Sequence, residues 1–150
     1  MKLYKICILS DKFYQKFPKE KFPEILHKGE TRPYLILLVE IGGKTFGIPF
    51  RSNINHKYCF KILNNRNQNE GLDYTKAVVI TEEDIGGSAH LRPDTLPQVD
   101  GFIDVIVRDF AKFLEKFKEI LNKEKLNRTE QIIFNNCTLK YFDIQNKENN

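Results

Sequence analysis

The stretch FRSNINHKYC at residues 50–59 sets a guanidinium (Arg51), a hydroxyl (Ser52), two amides (Asn53, Asn55), an imidazole (His56) and an ammonium (Lys57) close together. Few core strands look like this. A metal site wants several His, Cys or carboxylate ligands converging, and this stretch offers one imidazole and no carboxylate, so metal-assisted hydrolysis is disfavoured and no cofactor is implied. RNA offers another route: its own 2′-hydroxyl attacks the neighbouring phosphate once a base removes the proton and cations stabilise the developing charge. On that reading His56 carries the proton, an imidazole titrating at about 6.5 when free. Arg51 forks onto phosphate oxygens, Ser52 positions or donates to one, and Lys57, Lys76 and Arg32 add positive charge.

Blander readings stand beside these. One imidazole after a strand is more often a surface or capping residue than a catalyst. Ser52 and Asn53 also suit a strand end, where their side chains bond local backbone. Lys76, just before the apolar AVVI at 77–80, has the position of a charge that protects an edge strand from aggregation. Arg32 and Lys28 fit solvated loop charges, and His27 and His90 have no companions.

The elements that must position the cluster follow from periodicity and turn signals. Residues 2–9 alternate loosely and read as a first strand, after which Ser10 offers an N-cap for a short helical turn through Phe17. The proline- and lysine-rich stretch 18–33 reads as a long loop leading to Tyr34. The run YLILLVEI at 34–41 and the following KTFGIPF at 44–50 make a hairpin, because Gly42-Gly43 supplies the positive φ that tight turns require. Pro49 cannot donate to a ladder, so the second strand ends there, lies on an edge or bulges, and residues 51–56 emerge at a strand end. Residues 63–71 read as a polar loop, a strand resumes at 77–80, and 90–97 has no firm assignment. From Phe102 the apolar positions Phe102, Val105, Ile106, Phe110, Phe113, Leu114, Phe117, Ile120 and Leu121 keep the spacing of one helix face. A shorter helix starts near residues 127–129, and the tail from about residue 145 is expected to fray.

The bulk properties set bounds on these readings. A chain of 150 residues fits a single domain with a core of its own, and 41% apolar with 29% charged residues is an ordinary globular balance. A net charge of +4 is too mild to identify a nucleic-acid partner unaided, although residues 44–76 are mostly basic. Three cysteines without a C-x-x-C spacing indicate neither a disulfide framework nor a zinc site. The N-terminal apolar run, broken by Lys5, is too short for a signal-peptide core or a membrane span, so the expectation is a cytoplasmic protein away from membranes.

Three motifs, RPYLILLVEI at 32–41, TFGIPFRSNINH at 45–56 and GLDYTKAVVI at 71–80, resemble the RNA-cutting toxins of type III toxin–antitoxin systems. The resemblance is to the ToxN and AbiQ superfamily, most closely its CptN and TenpN branch. It covers residues 32–80 with gaps, and the middle motif is the specific one. It implies an α+β fold: a compact, strongly bent antiparallel β-sheet or barrel, similar to MazF and Kid, with packed helices and a long C-terminal helix. It further implies a bacterial phage-defence function and a metal-independent endoribonuclease leaving a 2′,3′-cyclic phosphate and a 5′-hydroxyl. The implied partners are cellular RNA substrates and an RNA antitoxin, a short repeated pseudoknot that the toxin cuts from its precursor and that closes with it into cyclic assemblies. By position, Ser52 falls on the family's active-site serine and Lys76 on a lysine opening the next strand. The ToxN branch has a threonine where this chain has Arg51, and a tyrosine and a lysine where it has Lys28 and Arg32. Its loop lysine is replaced by Ile54. These departures leave the general base open, with His56 and Arg51 as the replacements. The catalytic set is then Ser52, His56, Arg51 and Lys76, with Lys28, Arg32, Tyr34, Asn53, Asn55 and Lys57 contacting RNA. A non-catalytic RNA-binding barrel, in which the same groups merely hold phosphates, is the alternative.

Overall fold

A computed structural model describes residues 4–26, 34–66 and 69–145. Seven antiparallel strands, β1 (Lys5–Leu9), β2 (Ile36–Ile41), β3 (Lys44–Arg51), β4 (Cys59–Ile62), β5 (Glu70–Asp73), β6 (Val78–Ile80) and β7 (Ile85–Ser88), form one sheet. Its order is β4-β5-β3-β2-β1-β7, with β6 also pairing β3. Among the described residues three α-helices accompany it: α1 (Asp11–Lys16), α2 (Leu96–Leu121) and α3 (Arg128–Asn136). The architecture is the α+β arrangement of a bent antiparallel sheet with a long helix towards the C-terminus.

β2 explains the sheet's central position. Its run of apolar residues has both faces buried, with Leu37 and Val39 in the core against α2 and α3, and Ile36 and Leu38 in a second core with Phe13 of α1 and Ile25. Gly42 and Gly43, at φ 60° and 81°, close the hairpin to β3. Strand β3 then changes partners along one edge, pairing β6 through residues 45–47 and β5 through residues 50–51. Pro49 falls at the changeover, where a missing N–H costs no ladder bond. The strand therefore continues past the proline to Arg51, which becomes its last residue.

α2 starts at Leu96, earlier than the periodicity from Phe102 indicates. Pro97 suits the first turn, while Phe102, after Gly101, has non-helical angles (φ −122°, ψ 21°) and is 52% exposed, so it leads no buried face. From Ile106 to Ile120 the expected stripe is buried as spaced. Ser10 caps α1 by accepting from the Phe13 N–H. Asn127 and Glu130 close a reciprocal capping box on α3, each side chain accepting the other's backbone N–H. Strands β4, β5 and β7 are four residues each, and their burial does not alternate, which is why the sequence pattern does not mark them. No helix among the described residues is long and apolar enough to cross a membrane.

Candidate functional site

The site grows from the way β3 reaches β4. Arg51 pairs with Gly71 of β5, and the Ile54 N–H still reaches the Asn69 carbonyl at 3.0 Å. β4 nevertheless lies on the opposite edge of β5, with Cys59 paired to Asp73. Residues 52–58 must therefore arch across β5. Asn53 makes the first bend at φ 59°, a conformation that asparagine tolerates better than most residues. Beyond it the arch alternates. Ile54 is buried, His56 and Tyr58 are half-buried, and Asn53, Asn55 and Lys57 are exposed, as is Ser52 at its root. Tyr58 packs on Phe113 of α2 (ring centroids 5.6 Å apart) and accepts the Tyr74 N–H through its carbonyl (3.0 Å), which fixes the far end.

Beneath the arch lies the carboxylate of Asp73, fully buried. Its Oδ2 accepts from Arg51 Nη1 at 2.8 Å. Its Oδ1 accepts from the Thr75 hydroxyl at 2.6 Å and the Thr75 N–H at 3.0 Å. His56 Nε2 lies 3.2 Å from the same Oδ1, close enough to feel the charge but off the angle of a well-formed hydrogen bond. A carboxylate taken wholly out of water needs such partners, because an unpaired buried charge is costly. The other imidazole nitrogen, Nδ1, accepts the Tyr58 N–H at 3.1 Å. Burial first, and Asp73 second, push the thiol of neighbouring Cys59 upward, which keeps it protonated and unreactive.

The expected residues thus separate. Arg51 and His56 meet at Asp73, with Ser52 immediately after Arg51 on the exposed root of the arch. Asn53, Asn55 and Lys57 share the arch's outer face, and the Lys57 ammonium sits 5.6 Å from the Tyr58 ring centroid. Tyr34 is half-buried against the second core. Since Ile36 pairs with Pro49 and the Phe50 N–H reaches the Leu35 carbonyl, continuing that register sets Tyr34 opposite Arg51. Lys76 is turned elsewhere: its ammonium binds Glu24 at 3.2 Å and the Asn136 carbonyl at 2.9 Å. There it neutralises the C-terminal end of α3 together with Lys140, which donates to the Asn135 carbonyl. Lys28 and Arg32 lie outside the described residues. Among the described residues no group of three His, Cys, Asp or Glu side chains is placed to hold a metal ion.

Asp73 and Thr75 are the residues that sequence reasoning passed over. Their signal was the D-x-T spacing inside GLDYTK, in which an aspartate accepts from the backbone two residues on. Lys61 belongs with them, since it and Arg51 both pair with Gly71, from opposite sides.

The class defined by this geometry is a bent antiparallel sheet with a long packed helix and a polar arch at one end of it. That fold is shared with a solved structure described as a bacterial type III toxin–antitoxin system with selective toxin inhibition by a non-coding RNA pseudoknot. The two agree with a TM-score of 0.60 at 14% identity, over 93% of this chain and 95% of the other. At that identity the likeness is one of fold. No family model and no curated protein matches the sequence.

Proposed function

We propose that this protein is the toxin of a type III toxin–antitoxin system, a metal-independent endoribonuclease held in check by a repeated RNA pseudoknot that it cuts from a precursor. One observation carries the reading. A solvent-facing arch of hydroxyl, amide and ammonium groups (Ser52, Asn53, Asn55, Lys57) rises beside a guanidinium fixed in place by a buried carboxylate, on the fold of a toxin inhibited by RNA. One Arg51 nitrogen is committed to Asp73, and the 27% exposure of the side chain leaves other donors for a phosphate. In the reaction the 2′-oxygen bonds to phosphorus as the 5′-oxygen departs; a base takes the 2′-hydroxyl proton and the leaving oxygen gains one. Arg51 and Ser52 stabilise the charge on the phosphate oxygens, and Asn53, Asn55, Lys57 and Tyr34 hold the strand. Lys28 and Arg32, which precede β2 in the sequence, are assigned to the same task. RNA repeats bridging several toxin copies would close the assembly into a ring.

The experiment is incubation of purified protein with long mixed-sequence RNA, with and without EDTA, followed by analysis of the new ends. Cleavage that survives the chelator and leaves 2′,3′-cyclic phosphate and 5′-hydroxyl ends is the expected result; loss of all cutting in EDTA overturns it. A second reading, RNA binding without cleavage, draws on the occupation of His56 Nδ1 by the Tyr58 N–H, the closeness of Nε2 to Asp73 and the binding of Lys76 by the protein itself. It predicts salt-sensitive binding with RNA of unchanged length.

A further inference from the structure

The arch contains an imidazole with no lone pair to offer. His56 Nδ1 is filled by the Tyr58 N–H, which places the ring proton on Nε2, the nitrogen that faces Asp73. To take a proton from a substrate hydroxyl, the ring would have to give up the backbone bond that shapes the arch. We propose that His56 and Asp73 serve the cleavage reaction as positioning residues. The imidazole is a fixed, neutral spacer between the arch backbone and the buried carboxylate, and Asp73 orients the Arg51 guanidinium towards the phosphate. This inference rests on the nuclease reading and goes beyond it by separating the groups that touch RNA from those that act through them.

The geometry supports the division in three independent ways. The arch alternates, so His56 shares the inner side with Ile54 and Tyr58, while Asn55 and Lys57 on either side of it face outward. The carboxylate is reached from two points of the connection, Arg51 at its root and His56 further along, so a single buried group sets both ends of the segment that carries Ser52. Thr75 contributes two donors to the same carboxylate, which keeps Asp73 from following a guanidinium drawn towards an anion.

The test uses variants that keep the shape and remove the titration. In His56→Gln the amide nitrogen can stand where Nε2 stood, and in His56→Asn the amide oxygen can accept the Tyr58 N–H; neither is a base. On mixed-sequence RNA the better of the two should cleave within about tenfold of the native protein, while His56→Ala falls by about a hundredfold or more, the scale of a lost catalytic group. Asp73→Asn should lower kcat by about tenfold or more with KM nearly unchanged, the pattern of an interaction made in the transition state. If His56→Gln and His56→Asn are both as inactive as His56→Ala while their thermal midpoints match the native protein, His56 moves the proton and the proposal falls. Nitrogen-15 NMR of the native protein at neutral pH gives a readout independent of cleavage: His56 should show a bare Nδ1 and a protonated Nε2. A protonated Nδ1 overturns the inference even in an active enzyme. A native protein that cuts no RNA yet shows the expected tautomer sinks the nuclease reading instead.

Discussion

Replacing Asp73 with alanine should cost more stability than any other single change near the arch, and the size follows from its contacts. Its bond to Arg51 is charge-assisted, worth about 1.5–3 kcal/mol net, and each of the two Thr75 bonds adds about 1 kcal/mol. Removing the acceptor also strands the N–H and hydroxyl of Thr75, a residue 5% exposed, and leaves Arg51 without its counter-charge. The sum is a loss of about 3–5 kcal/mol, with a fall in thermal midpoint of about 10 °C for a chain of this size. Urea titration followed by far-ultraviolet circular dichroism reads it as a lower midpoint at unchanged slope. Asp73→Asn, which can still accept from Thr75, should lose roughly half as much, because about half of the total comes from Arg51. A loss below about 1 kcal/mol for Asp73→Ala would refute the view that this carboxylate holds the arch, since that is the range of an ordinary surface substitution.

Three further outcomes follow from other contacts. Lys57→Ala should weaken binding to mixed-sequence RNA about equally for all sequences and reduce the slope of log affinity against log salt by about one, with no change in thermal midpoint; fluorescence anisotropy across a potassium chloride series measures both. Burial first, then its hydrogen bond to Asp100, raises the Tyr4 phenol to about 12, so the unfolded chain gives up this proton first as pH climbs past 10. The stabilisation is thus complete below pH 10 and lost as pH rises through the folded value, and Tyr4→Phe should flatten the alkaline limb of a stability–pH profile. Asn127→Ala removes the acceptor for the Glu130 N–H and should cost about 1 kcal/mol, detectable by urea titration and as faster amide exchange in the first turn of α3.

Elements whose apolar spacing extends over several turns or both sheet faces were legible in the sequence. The β2–β3 hairpin was marked by its glycines, α2 by its stripe, and α1 and α3 by Ser10 and Asn127. Strands β4, β5 and β7 were hidden because four residues are too few to show a period, and their buried positions do not alternate. The kink at Phe102 was hidden for a related reason: spacing records that a residue is apolar, not that its backbone leaves the helix. At the site, sequence proximity put Arg51, Ser52 and His56 into one group. The structure joins Arg51 and His56 through Asp73, more than a dozen positions downstream, and binds Lys76 to the end of α3. A buried carboxylate advertises itself poorly among 20 Asp and Glu residues, since the partners that make it tolerable come from other segments.

The odd–even rhythm of residues 53–58 ties the length of this connection to its meaning. Deleting or inserting a single residue there would exchange the two sides, burying an amide and an ammonium and presenting isoleucine and tyrosine to solvent. On the proposed reading, identity at 55 and 57 can therefore be retuned towards a different RNA without disturbing the anchor below, whereas 53 is held by its positive φ. The residue count between the strands has no such latitude, so variants that alter recognition should come from exchange at those two places and not from loop lengthening.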